Sequence, residues 1–284
     1  LAPENGDSIQ TTPLVQSITQ NGQNFSYTYD NVGNITSVTR NGLTTTYVYD
    51  KLGQLIREND PHANKTTVYN YDRGGNILSC VEYAYTTGTL GAATQTTAYT
   101  YGDSNWKDKV TAIGGKTITY DAIGNPLTYD GWTFTWKAGR MLASMVKSGT
   151  NAQFTYDHNG LRIKKVVNGV TTNYTLNGKN VVHMTQGSHD LHFFYDAQGK
   201  PGMVTYNDVD YFYVYNLQGD VVALIDANGT QVVEYVYDAW GNPISKTGSL
   251  AATIGTLNPF RYRGYVYDEE TGWYLLNERF YNPA

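Results

Sequence analysis

The stretch YDNVGNITSV, Tyr29 to Val38, decides the reading of this chain. Tyr29 is followed by Asp30, Gly33 stands four residues after the ring, and an apolar, β-branched run follows. An Asp carboxylate accepts hydrogen bonds from backbone N–H groups two residues on, and Gly supplies the positive φ that a tight turn needs. Upstream, Tyr27 and Tyr29 are two apart, a spacing that puts both rings on one face of a strand. The stretch therefore reads as strand, turn, strand.

The same unit recurs along the chain. It appears as YDKLGQ (Tyr49, Asp50, Gly53), YDRGGN (Tyr71, Asp72, Gly75), YDAIGN (Tyr120, Asp121, Gly124) and YDHNGL (Tyr156, Asp157, Gly160). It continues as YTLNGK (Tyr174, Gly178), YDAQGK (Tyr195, Asp196, Gly199), YNLQGD (Tyr215, Gly219) and YDAWGN (Tyr237, Asp238, Gly241), with WKAGR at Trp136 as a shortened form. YDEETG (Tyr267, Asp268, Gly272) carries one extra residue before its Gly. Steps from Tyr29 to Tyr49 to Tyr71, and from Tyr195 to Tyr215 to Tyr237, are 20 or 22 residues. The register lapses between Tyr71 and Tyr120, where YTYGDSN around Tyr101 fills the gap. One repeat is one hairpin, and a lone hairpin is marginally stable in water, so the hairpins must stack on one another. The expected fold is all-β: about a dozen antiparallel hairpins in one continuous sheet that twists into a curled sheet, open spiral or partial barrel or shell.

Composition agrees. Tyr occurs 26 times in 284 residues and only 16% of residues are charged, which favours strands over helices. The net charge of −5 with scattered Lys and Arg leaves no basic footprint for nucleic acid. The longest clear apolar run, Val221 to Ile225, is far short of a membrane span, so no membrane insertion is expected. The opening LAPENGDSIQ has no signal-peptide pattern and reads as the start of an excised piece of a longer protein. Cys80 is the sole cysteine; no intramolecular disulfide is available, and ILSCVEY reads as a buried small hydrophobe rather than a reactive thiol.

Read at this level, the chain resembles the YD-repeat, or Rhs-type, proteins, related to the shells of insecticidal toxin complexes and of teneurins. The resemblance rests on the YD units in register with their glycines, from about Phe25 onward. It rests more specifically on NPFRYRGYVYDEETGWYLLNERFYNPA, Asn258 to Ala284, which looks like the start of the Rhs-associated core and carries Arg261, Arg263, Gly264, Tyr267, Asp268, Gly272, Arg279 and Tyr281. Three parts follow: residues 1–22 as a leading segment or incomplete repeat, 23–257 as the repeat array, and 258–284 as the start of the core. The resemblance implies a hollow β-shell around a polymorphic C-terminal segment, often a toxin, in a secreted or cell-surface protein, bacterial in origin. The partners implied are flanking repeats and a C-terminal effector segment of the same parent. Autoproteolysis, where the family has it, uses aspartates in a segment after the part matched here, so no catalytic residue is carried over.

Residues that could carry chemistry have simpler structural readings. GxSxG, GxxxxGK[ST], HExxH and GxGxxG are all absent from the sequence. His189 and His192, three apart in one strand, would face opposite ways, so with His183 they are read as solvated or packed histidines and no metal or cofactor is expected. Asn207, Asp208 and Asp210 read as a polar hairpin tip rather than a calcium loop. Asp268, Glu269 and Glu270 occupy a turn that the repeat already explains, not a glycosidase pair. Asn24, Asn34, Asn64, Asn173 and Asn228 are nominal glycosylation acceptors, several of them in repeat turns. The expected function is a non-catalytic scaffold forming part of a shell. The alternative is a surface adhesion or carbohydrate-binding module with glycans as partners, in which the regularly spaced Tyr and Trp rings stack on sugars.

Overall fold

The structure, a computed structural model, describes residues 13–284. Residues 1–12 of the leading segment lie outside the described residues. The rest of that segment contributes Ser17–Gln20, a strand paired with Gln23–Tyr29.

Twenty-four strands form two antiparallel meanders in which every strand pairs with its neighbours in sequence. A ten-stranded sheet runs from Ser17–Gln20 to Lys116–Thr117, and a fourteen-stranded sheet runs from Thr119–Tyr120 to Pro243–Thr247. The dozen hairpins expected are there. One continuous sheet is not: the ladder breaks at Ile118, after a long loop and two two-residue strands. The break falls in the stretch where the repeat loses its period: the ladder still spans the strandless residues 102–111 through Tyr99 opposite Ile113, and stops only between Lys116–Thr117 and Thr119–Tyr120. A third sheet of three strands, Val266–Asp268, Trp273–Leu276 and Arg279–Tyr281, closes the chain. A single helical turn, Ile254–Leu257, leads into it.

The repeat turns dictate local geometry. In nearly every unit the strand register shifts at the residue before the YD tyrosine, as at Thr28/Tyr29, Val48/Tyr49 and Val236/Tyr237. Such a bulge bends the strand and adds twist, and repeating it in hairpin after hairpin curls the sheet. The extent of the curl can be read from two adjacent residues. Trp273 packs on Phe134 in the third strand of the large sheet, with ring centroids 5.4 Å apart. Tyr274 donates its hydroxyl to the Gly241 carbonyl, 2.7 Å away, in the turn after the thirteenth strand. Ten strand spacings separate those positions, about 48 Å across a flat sheet. One strand reaches both only because the sheet has wrapped around it.

The core has three parts. Tyr174, Leu191, Phe193, Val204, Tyr213, Leu224 and Tyr235 pack with Ile254 and Phe260 on the inner face of the large sheet. Phe134, Leu142, Met145 and Phe154 pack with Trp273 and Phe280 further along the same face. On the outer face, Val214, Val222 and Ala223 meet Phe25 and Tyr27 of the ten-stranded sheet. Val214 alternates with Tyr213 and Tyr215, so one strand serves both cores. The seam between the sheets is partly polar: buried Arg40 donates to the Tyr235 carbonyl at 2.9 Å and to Glu234 at 2.8 Å.

Candidate functional site: the closing segment inside the curl

The YD residues act as a two-part joint. In the first hairpin, Asp30 Oδ1 accepts from the backbone N–H groups of Val32 and Asn34 at 3.0 and 2.8 Å, while Oδ2 accepts from the Asn34 side chain. Asp50, Asp72, Asp121, Asp157, Asp196 and Asp238 accept from the same two backbone positions. The Asn34 and Asn76 side chains, with these backbone donors, hold the carboxyls of Asp30 and Asp72 below the usual range. Gly33, Gly53, Gly75, Gly124, Gly160, Gly199, Gly219 and Gly241 all take positive φ. Gly241 is doubly constrained, because a Cβ there would run into the Tyr262 ring.

The tyrosine does something the repeat pattern alone did not reveal. Its hydroxyl donates to a backbone carbonyl in the preceding hairpin: Tyr49 to Ile35 (3.0 Å), Tyr71 to Leu55 (2.8 Å), Tyr156 to Leu142 (2.7 Å), Tyr195 to Val181 (2.7 Å), Tyr215 to Pro201 (2.5 Å) and Tyr237 to Val221 (3.0 Å). Tyr29 and Tyr120 do the same to Val15 and Val110, Tyr101 does so to Ile77, and Trp136 replaces the phenol with its indole N–H on Pro126. Ile35 lies beyond the end of its ladder with the Tyr49 strand, which stops at Ser37 and Thr46. The phenol satisfies a carbonyl that the splayed strands leave unpaired.

Inside the curl, the closing segment is held by buried polar contacts. Asp268, wholly buried, receives Arg162 on both carboxylate oxygens at 2.5 and 2.9 Å and Lys165 at 3.1 Å. Burial alone would raise this carboxyl, but Arg162 and Lys165 outweigh it and hold it below the usual range. Glu270 pairs with Lys165 at 2.6 Å and Glu269 with Lys246 at 2.6 Å. Buried Arg261 lies 4.1 Å over the Tyr235 ring and donates to that hydroxyl at 3.0 Å and to the Gly255 carbonyl at 2.6 Å. Arg263, at φ 54°, donates its backbone N–H to Asp220 at 2.9 Å, with Gly264 beside it at φ 69°. Tyr267 packs on Tyr274 with ring centroids 4.7 Å apart, Gly272 turns the chain at φ 75°, and Tyr281 donates to the Trp240 carbonyl at 2.6 Å. Arg279 is exposed at the rim of a cleft of about 530 Å³ lined by Phe134, Trp136, Tyr156, Trp273 and Phe280.

The family model for the teneurin YD-shell matches residues 19–284. This chain is a member of the YD-shell family. The tRNA3(Ser)-specific nuclease WapA of Bacillus spizizenii is 36% identical over 238 residues, 81% of this chain and 10% of that protein. The tRNA(Glu)-specific nuclease WapA of Bacillus subtilis subsp. natto is 38% identical over 186 residues, 63% of this chain and 8% of that protein. The chain thus spans about a tenth of the length of the curated relatives it matches. The Photorhabdus luminescens Tc holotoxin pore superposes with a TM-score of 0.67 at 19% identity, covering 92% of this chain and 15% of the other. TcdB2-TccC3 without its hypervariable C-terminal region gives 0.64 at 18%, with the same shares. The shared fold is the curled YD shell.

Several readings of individual residues change once they are placed in the YD shell. Asp268, Glu269 and Glu270 are not simply turn residues, because their carboxylates anchor the closing segment to Arg162, Lys165 and Lys246. Tyr174 is not a joint tyrosine: Leu176 takes that place at the register shift, and Tyr174 fills the upstream, buried ring position opposite Met184. Asp226 and Gly229 form a full repeat turn that the pattern missed, because Ile225 stands where a tyrosine is usual. Its signal was the DANG tetrapeptide, an Asp three residues before a Gly. Cys80 is half-buried rather than buried, and burial pushes its thiol up to about 11, which keeps it protonated near neutrality. Asn207 and Asp208 form the hairpin tip expected of them, both at positive φ, whereas Asp210 stands in the strand Val209–Tyr215 and accepts from the Thr205 hydroxyl at 2.6 Å. His189 and His192 do face opposite ways: His189 bonds the Tyr206 hydroxyl, while His192 stacks on His183 across the strand pair. That cross-strand pairing was invisible in the sequence spacing.

Proposed function

We propose that this chain is a stretch of the wall of a YD shell within a longer, secreted or surface-exposed bacterial toxin, where it encloses an effector segment that follows in the parent protein. In this reading the chain is a non-catalytic scaffold. The observation that carries it is the placement of residues 258–284: a segment leaving the array is led inward, and Trp273 and Tyr274 touch opposite parts of the wall. Family membership and the WapA relatives, named as nucleases over chains about eight times as long, support a container whose activity resides elsewhere. No helix among the described residues is long and apolar enough to cross a membrane.

The joint tyrosines favour scaffold over glycan binding. Their hydroxyls are already committed to backbone carbonyls of the preceding hairpin, and in the most buried of them the rings are covered as well. The proposed partners are flanking repeats of the same ribbon and the effector. Trp240 illustrates how windings meet, its turn tip packing on Tyr69 with ring centroids 5.7 Å apart.

Protease protection in the parent protein tests the proposal. Survival of the segment after Ala284 until the shell is denatured is the expected result. Rapid cleavage of that segment while the repeats persist would overturn it.

A further inference from the structure

On the outer face of the large sheet, away from the closing segment, three metal-competent side chains converge. Asp190 and His192 stand two apart in His189–Tyr195 and so share one face, and His183 in Asn180–Gln186 lies directly opposite His192. The imidazoles stack with centroids 4.3 Å apart and planes 17° from parallel. Each presents its Nε2 to the same oxygen, Asp190 Oδ1, at 3.0 Å. All three ligand atoms lie within 4.8 Å of one another.

These separations match a transition-metal site. A tetrahedral zinc ion holds nitrogen and oxygen ligands at about 2.0–2.1 Å, which places neighbouring ligand atoms roughly 3.3 Å apart. Both Nε2–Oδ1 distances are within a few tenths of an ångström of that edge, and the two Nε2 atoms lie within 4.8 Å of each other, so side-chain rotation would complete the set as a cation enters. Two imidazoles and a carboxylate are a donor set that suits zinc, and three protein ligands leave a fourth position for water. The side chains are open to solvent, His192 by about half, which provides the entry path. The rigid ladder beneath, with Met184 and Leu191 buried as the adjacent pair, fixes the spacing of the two strands.

We propose that His183, Asp190 and His192 form a surface site for a divalent transition cation of the zinc class, clamping the β-hairpin from Asn180 to Tyr195 on the outside of the wall. Each histidine binds through Nε2 as the neutral imidazole with its proton on Nδ1. His189, on the opposite face and bonded to Tyr206, takes no part.

The test uses the whole chain, stripped of metal by chelator dialysis, with zinc chloride titrated against a chromophoric competitor. One equivalent should bind. His183→Ala and His192→Ala should each weaken it by more than the roughly 10–100-fold that loss of an outer-shell partner costs, whereas His189→Ala should leave it unchanged. Cobalt should give intense visible bands of four-coordination with the wild type and lose them in His192→Ala. In the unmutated chain, zinc should shift the imidazole resonances of His183 and His192 but not those of His62, His158 or His189. Absence of stoichiometric uptake, uptake unaffected by His192→Ala, or resonance shifts elsewhere would overturn the site.

Discussion

Arg162 and Asp268 are 106 residues apart in sequence and joined by two hydrogen bonds in the buried interior, with side chains 2% and 0% exposed. One lies in the wall and the other in the closing segment, so the pair ties the segment to the wall. Removing one partner from such a pair strands the other charge in a dry site, which typically destabilises by 3–5 kcal/mol.

Asp268→Asn should therefore lower stability by about 3–5 kcal/mol and expose the segment from Val266 onward to protease. Arg162→Met combined with Asp268→Leu should recover much of the loss, since no charge is left unpaired. Urea denaturation with parallel limited proteolysis measures both. Asp268 titrates below the usual range in the fold, so its contribution is present at neutral pH and is lost as pH falls through its folded value.

The phenol joint has its own signature. Tyr49→Phe keeps the ring and deletes only the hydrogen bond to the Ile35 carbonyl, so a loss of about 0.5–1.5 kcal/mol is expected. Tyr195→Phe should behave alike, and the two losses should add, because their hairpins share no partners. Denaturation midpoints of the single and double variants check this. No loss in either would remove the joint from the account.

Gly53 separates backbone conformation from packing. It takes φ 76° with nothing within 4 Å of where a Cβ would stand, so Gly53→Ala should cost about 1–2 kcal/mol from conformation alone. Gly241→Ala should cost more, because the Tyr262 ring occupies the Cβ position. Thermal melting of the two variants side by side gives the ordering.

Glu58 makes the seam between the two large sheets sensitive to pH. It is buried, accepts the Ala239 N–H at 3.1 Å, and is pushed up to about 8 by burial first and then by Asp238 and Asp60. Its folded value lies above the unfolded one, so the protein is favoured at acid pH and loses that advantage as pH rises from the ordinary carboxylate range through 8. Stability measured from pH 5 to 9 should fall across that window, and Glu58→Gln should flatten the fall. An unchanged slope in the variant would assign the effect to other groups.

Some elements were legible because their physics is local. An Asp that bonds N–H groups two and four residues on, and a Gly at positive φ, need no distant partner, so the YD units marked most of the hairpin turns correctly. Tyr174 was misplaced and Asp226 missed for the complementary reason: the pattern counts residues, whereas the turn is set by which residue sits at the bulge, and there Leu176 and Ile225 replace the tyrosine. The acidic run Asp268 to Glu270 looked like another turn because its partners, Arg162, Lys165 and Lys246, lie 23 to 106 residues away.

The sequence by itself determined the all-β class, the hairpin unit, its turn chemistry and the sharing of one strand face by the two rings of an aromatic pair. All of these follow from hydrogen bonds and alternation within a few residues. Only the tertiary structure decided the break at Ile118, the wrapping of the large sheet around Trp273 and Tyr274, the phenol bond to the preceding hairpin, and the meeting of His183 with Asp190 and His192. Those depend on which strands become neighbours and on how far repeated bulges bend the sheet, and that curvature accumulates over the whole ribbon rather than residing in any one repeat.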